Sequence, residues 1–352
     1  MAPSPQLFTP EQLAFCQALP KVELHAHLNG SIRDSTIREL AAAKLQGNNG
    51  ALSLEEVEQL TQQATRSLAE CFRLFDVIHR ITTDLATITR ITAEVLEDFA
   101  AENVVYLELR TTPKARPEYG MTKQSYLGAV LAGVQRWQAA QGSAAMLVRL
   151  LLSIDRRQST EEALDTVRLA VSLRDRGVVG IDLSGNPTAG EWGTWLPALD
   201  LARSQGLKVT LHAGEVPNAA ETRAMLAWGP DRVGHMCCLD EELEQQLLGS
   251  NIPLELCLSS NVITESVKSY QDHHFAAFHG SGHPVVLCTD DSGVFATSLS
   301  REYAIAAAAF GISGEELAAL ALRGVDYTFL EEGEKAALRG AMRARVETLL
   351  RS

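Results

Sequence analysis

Eight short apolar, β-branched runs recur along the chain, and most of the intervals between them carry a 3.6-residue apolar period. The runs read as strands cover residues 22–28, 104–110, 146–154, 178–183, 208–212, 232–235, 254–258 and 285–288. Residues 122–137 and 161–174 are typical of the intervals, the second with Ala163, Val167, Ala170 and Val171 on one stripe. Strands that alternate with helices build a parallel sheet covered by helices. Eight such units predict an α/β fold closed as a (β/α)8 barrel of TIM type. A chain of 352 residues, 46% hydrophobic, has enough core for that plan as one domain over residues 1–352. Residues 1–18 read as a Pro-rich leader. Residues from about 33 to 101 read as a helical insertion between strands one and two, placed to cap the barrel mouth and exclude water. The tail, residues 298–350, is Ala-, Leu- and Glu-rich and reads as helical.

Composition narrows the partners. A net charge of −13 opposes general binding to nucleic-acid polymers or anionic membranes, although a local basic pocket could still take a small anion. Residues 1–20 have neither the positive cluster nor the apolar core of a signal peptide, and no apolar stretch reaches membrane-spanning length. The six cysteines stand singly, apart from Cys237-Cys238, and suit free thiols in a reducing compartment. The expectation is a cytoplasmic protein, a monomer, with no membrane or nucleic-acid partner.

The chemistry lies where the apolar runs end. His25-Ala26-His27 closes the first run, and alternate residues of a strand share a face, so both imidazoles can grip one ion. Leu211-His212-Ala213-Gly214-Glu215, Val233-Gly234-His235 and Cys288-Thr289-Asp290-Asp291 close three later runs. In a barrel all four ends meet at one mouth. His25, His27, His212 and Asp290 together form a three-histidine, one-carboxylate set that favours one zinc ion with room for a water. Zinc lowers the pKa of such a water toward about 7, which predicts metal-assisted hydrolysis.

Glu215, on the turn after strand five, is a candidate proton shuttle if burial raises its pKa; otherwise it is a helix-start Glu. His235 is either a fourth ligand or the group that orients and deprotonates the metal water. The second role is preferred, because four protein ligands plus a water would crowd the ion. Asp291 faces substrate if the backbone turns after Asp290; otherwise the pair caps a helix before Ser292-Gly293. Strand four ends in Asp182-Leu183-Ser184-Gly185, with no lysine to bridge a second metal. The zinc signature of cytidine-deaminase folds is also missing from the sequence.

Together with Ser184-Gly185, Ser259-Ser260-Asn261 and Leu28-Asn29-Gly30-Ser31, these motifs resemble the adenosine/AMP deaminase family from about residue 19 to 329. Tyr106-Leu107-Glu108-Leu109-Arg110-Thr111-Thr112-Pro113 and the segment 288–297 resemble its adenosine deaminase-like branch, the N6-methyl-AMP deaminases. The resemblance implies that zinc sits on His25, His27, His212 and Asp290. It further implies that zinc-activated water, positioned by His235 and Asp291, attacks C6 of a purine while Glu215 protonates N1. Gly185 would meet N3 and Asp291 would meet N7. The expected reaction is conversion of N6-methyl-AMP to IMP and methylamine. Deamination of free adenosine is the alternative, and a catalytically silent binding protein is a second one.

Asn29 carries the substrate expectation. Adenosine deaminases proper have Asp at this point of the motif, which accepts from the free 5′-hydroxyl. A carboxylate repels a 5′-phosphate, whereas an amide can donate to it. His79, Thr111, Thr112, Pro113, Lys114 and either Asp155 or Arg156, near the ends of strands two and three and on the insertion, are the remaining candidate nucleotide contacts. Met236 stands where the family usually has Gly, so a left-handed backbone there would be strained.

Overall fold

Eight strands arise where the apolar runs predict them: β1 (Lys21–His27), β2 (Val104–Thr111), β3 (Leu147–Asp155), β4 (Val178–Ser184), β5 (Lys208–Ala213), β6 (Arg232–His235), β7 (Leu254–Leu256) and β8 (Val285–Leu287). The computed structural model describes residues 7–44, 53–63, 65–142 and 146–351. Each strand pairs in parallel with the next in sequence order. The ring closes at the mouth, just past β8. There the Asp290 amide donates to His25 O (2.8 Å) and the His27 amide donates to Asp290 O (2.9 Å). Closure therefore brings Asp290 directly against the His-x-His strand. Strand seven stops at Leu256 rather than 258, because Leu258 already opens a helix, α11 (Leu258–Ile263).

Helices cover the outside. The leader contains α1 (Pro10–Ala18), set by Thr9 and Gln12 in a reciprocal cap with Pro10 in the first turn. It packs on α13 (Leu299–Phe310). The stretch between β1 and β2 holds α2 (Asp34–Lys44), α3 (Leu54–Thr61), α4 (Leu68–Ile81) and α5 (Leu85–Ala101). Of these, α5 packs on β2 and on α6 (Lys123–Gln141), which makes it the ordinary crossover helix of the first unit. The added part is α2–α4, which pack on one another. Residues 1–6 of the leader, 45–52 and 64 of the insertion, and 352 lie outside the described residues. Among the described residues no helix is long and apolar enough to cross a membrane.

Apolar side chains fill the space between strands and helices, but the barrel interior is charged. Glu23, Glu108, Arg110, Asp182, Arg232 and Glu255 are all fully buried. Arg110 of β2 reaches Asp182 of β4 and Glu255 of β7, contacts possible only across the inside of the ring. Arg232 joins Glu255 (2.6 Å) to Glu108 (2.5 Å). Buried charges are tolerated only when paired or hydrogen-bonded: the arginines pair with Glu108, Asp182 and Glu255, while Glu23 accepts from the His25 amide and from Thr289.

Candidate active site

The three histidines and Asp290 converge at the C-terminal mouth of the barrel. His212 Nε2 lies 3.0 Å from His25 Nε2 and 3.1 Å from His27 Nε2. Asp290 Oδ1 lies 3.4 Å from the Nε2 of both His25 and His27. Neighbouring side chains define which nitrogen carries each proton. His25 Nδ1 donates to Glu255 Oε2 (2.8 Å), and His212 Nδ1 donates to Asp182 Oδ1 (2.9 Å). In the neutral rings both Nε2 atoms are then bare lone pairs facing each other, a repulsive arrangement that a cation between them relieves. A tetrahedral ion with bonds of about 2.0–2.1 Å spaces its donors by about 3.3 Å, close to the separations found. These residues fit a metal ion.

The supporting carboxylates are themselves held. Burial alone would raise their pKa values. Instead, Arg110 and Arg232 around Glu255, and His212 and Arg110 around Asp182, hold both well below the usual carboxylate range. Ser260 Oγ donates to Asp290 Oδ2 (2.7 Å), which leaves Oδ1 turned toward the histidines.

Glu215, His235 and Asp291 surround this cluster. Burial, and then the charge of Asp290, push the Glu215 pKa up to about 8, so its carboxyl keeps a proton at neutral pH. His235 Nε2 is buried, has no hydrogen-bond partner, and stands 3.9 Å from Glu215 Oε1. One donor atom from each of His25, His212, His235 and Asp290 lies within 4.8 Å of the others, so His235 is within reach of the same ion. Burial and the adjacent Asp290 push Asp291 up to about 7. The backbone is left-handed at His235 (φ 66°), Met236 (φ 54°) and Asp290 (φ 63°). Met236 therefore stands in the strained conformation anticipated from its replacing glycine, and it is fully buried.

The expected substrate contacts divide into two groups. Asn29 is half-buried with Oδ1 unpartnered, and Lys114 has its Nζ out of solvent and unpartnered. His79, on α4, lies within electrostatic range of Lys114, Arg116 and Arg157: burial first, then Lys114, lowers its pKa to about 4. Asp155 shares that environment but is already clasped by Arg157 Nε (2.8 Å). Gly185 has φ +103°, a glycine conformation that leaves its backbone open to close approach. Thr111 is placed elsewhere. It follows the inward-facing Arg110, so it points to the outer face, and its hydroxyl meets Tyr126 of α6 at 2.7 Å. Thr112 and Pro113 sit on the loop that follows β2, Thr112 half-buried and Pro113 buried. Arg116 and Arg157 did not stand out in the sequence, because each follows a strand by a few residues in an ordinary polar loop.

A parallel barrel whose strand ends carry three histidines, an aspartate and a proton-bearing carboxyl defines an enzyme barrel built around a candidate metal centre. Residues 20–344 match the adenosine deaminase family model, and the chain belongs to that family. It is a hydrolytic deaminase, acting on a C–N bond. Over 346 residues it is 51% identical to the N6-mAMP deaminase of Arabidopsis thaliana, covering 93% of this chain and 97% of the relative. The apo structure of the N6-methyl-AMP deaminase from Arabidopsis thaliana superposes with a TM-score of 0.90 at 52% identity, covering 94% and 98% of the two chains. Arabidopsis ADAL complexed with IMP gives a TM-score of 0.89 at 51% identity over 95% and 99%.

Proposed function

We propose that this enzyme hydrolyses the 6-substituent from purine nucleoside 5′-monophosphates, and that its main reaction converts N6-methyl-AMP to IMP and methylamine. The observation that carries the nucleotide reading is the cluster of Lys114, Arg116 and Arg157 around a neutral His79, in a chain of net charge −13. A 5′-phosphate supplies the acceptor that the buried Lys114 ammonium lacks, and the NH2 of the Asn29 amide can donate to it. The similarity to Arabidopsis proteins named for N6-methyl-AMP, one of them complexed with IMP, supports the same reading.

His25, His27, His212 and Asp290 would hold one zinc ion, which suits three imidazoles and a carboxylate in tetrahedral spacing. The ion, when bound, lowers the pKa of a water enough to supply the nucleophile at neutral pH. Glu215 delivers its retained proton to N1 of the purine, which makes C6 electrophilic. The Gly185 backbone meets N3 and Asp291 meets N7, which fixes the ring plane. His235 orients the attacking oxygen. The amine leaves from C6 with no covalent enzyme intermediate. Thr112 flanks the phosphate, Pro113 stiffens the loop, and Asp155 holds Arg157. The whole chain acts as one barrel domain with α2–α4 over the mouth, and one chain supplies every site residue. Its six free cysteines suit the cytoplasm.

The reading is tested by offering the zinc-loaded protein N6-methyl-AMP, AMP, adenosine and N6-methyladenosine in parallel. Turnover restricted to the monophosphates, fastest with the methylated one, is expected. Preference for adenosine overturns the substrate assignment. Asn29→Asp should raise KM for N6-methyl-AMP about tenfold while leaving the Ki of an inhibiting nucleoside unchanged, a repulsion of about 1.4 kcal/mol between two anions near the surface. An equal effect on both classes removes Asn29 from phosphate recognition.

A further inference from the structure

Two side chains, Asn261 and His273, and one backbone amide on the far side of His235 decide which of its nitrogens carries the proton. Phe275 donates its backbone amide to His273 Nδ1 (3.0 Å), and a backbone N–H has no other role to play in a hydrogen bond. His273 Nδ1 is therefore a lone pair. Burial, and next the neighbouring His274, depress the His273 pKa to about 2, so the ring is neutral and its single proton sits on Nε2. That Nε2–H donates to Asn261 Oδ1 at 3.1 Å. With its oxygen engaged, Asn261 turns its Nδ2 to His235 Nδ1, 3.1 Å away. An amide NH2 only donates, so His235 Nδ1 accepts, and the proton of the neutral ring is left on Nε2. That is the buried, unpartnered atom beside Glu215.

We propose that Asn261 and His273 are positioning residues that lock His235 in its Nε2–H form, so that it offers the attacking oxygen a donor rather than a lone pair. The inference rests on the reading above only in naming that oxygen as the acceptor. His274 completes the device from the backbone side: its Nε2 donates to His235 O at 2.6 Å. That bond holds the main chain of a residue whose backbone is left-handed, with φ of +66°. The adjacent pair His273-His274 thus fixes the same residue twice, once through its ring and once through its main chain. His235 in this form orients the oxygen and is not a resting base.

The test is long-range 15N–1H correlation on the zinc-loaded full chain with 15N-labelled histidine. His235 should show a protonated Nε2 and an unprotonated Nδ1. Asn261→Asp puts a pure acceptor against Nδ1 and should reverse the pattern, with kcat for N6-methyl-AMP falling about 10–100-fold and KM little changed. His273→Gln keeps a donor toward Asn261 Oδ1 and should keep the Nε2–H form, whereas His273→Phe should lose the single-tautomer signature. An Nδ1–H signal for His235 in the unaltered protein overturns the proposal, as does an unchanged tautomer in Asn261→Asp or His273→Phe. If Asn261→Asp does not fold, the unaltered protein and the two His273 variants still decide. Absence of N6-methyl-AMP turnover would overturn the substrate reading alone, because the tautomer is read without substrate.

Discussion

Gly30 bears no side chain, yet a Cβ built there would lie 1.6 Å from Asp291 Oδ1, so the motif glycine is what lets Asp291 lean over the mouth. Such single-residue constraints explain why part of the site was legible. His25, His27, His212, Glu215, His235, Asp290 and Asp291 each end an apolar run, and the barrel gathers run ends. Thr111 also stands at a run end, but the two-residue alternation set by Arg110 turns it outward. Glu215→Gln removes the proton for N1 while keeping shape. Turnover should fall by about 10²–10⁴-fold with metal content unchanged by elemental analysis, and near-normal rates would remove Glu215 from the acid role. Lys114 offers a pH test. Burial, then Arg116, lowers its pKa to about 8, so the free enzyme loses this positive charge as pH rises through 8. KM for N6-methyl-AMP should therefore climb between about pH 7 and 9. Changes common to all ligands cancel in the ratio to the Ki of an inhibiting nucleoside, so a flat ratio would detach Lys114 from the phosphate.

At the scale of elements, strands were legible to within about two residues, because buried parallel strands read as continuous apolar runs. Other elements were less visible. The helix α1 has a low amphipathic signal, and only Thr9-Pro10-Glu11-Gln12 marks its start. In α11 the helix begins inside what reads as a strand, which lifts Ser260 to Asp290 and Asn261 to His235. Arg66 is one of the residues that pin the insertion. Buried between α3 and α4, it donates to Leu60 O (2.8 Å) and Val294 O (3.0 Å) and grips Asp34 Oδ1 and Oδ2 (2.7 and 2.8 Å). It thereby ties α2–α4 to the loop after Asp291. Arg66→Ala should cost about 2–3 kcal/mol in urea unfolding and open residues 53–81 to proteolysis. A loss below about 0.5 kcal/mol would mean that packing alone holds the insertion.

For the molecule as a whole, the interior charge network was the least legible feature. Period-two spacing was its trace: Glu23-x-His25, Tyr106-x-Glu108-x-Arg110 and Thr210-x-His212 put polar groups on one face of apolar strands. Which carboxylate meets which arginine depends on partners more than a hundred residues apart, such as Arg232 with Glu108 and Arg110 with Glu255. No local pattern encodes that pairing. Arg110 stands between the two carboxylates that orient His25 and His212, so the metal centre and the barrel share one support. Arg110→Met should destabilise the metal-free protein by about 3–5 kcal/mol, because it leaves buried negative charge uncompensated, and should weaken metal binding. A loss under about 1 kcal/mol, with metal affinity intact, would separate the network from the site.

The proposed chemistry is hydrolysis at C6 of a nucleotide. The most direct measurement is mass spectrometry of the products formed from N6-methyl-AMP by the zinc-loaded enzyme in 18O-water. The prediction is IMP carrying a single 18O at C6 together with one equivalent of methylamine. AMP with formaldehyde, unlabelled IMP, or recovery of intact substrate would contradict it.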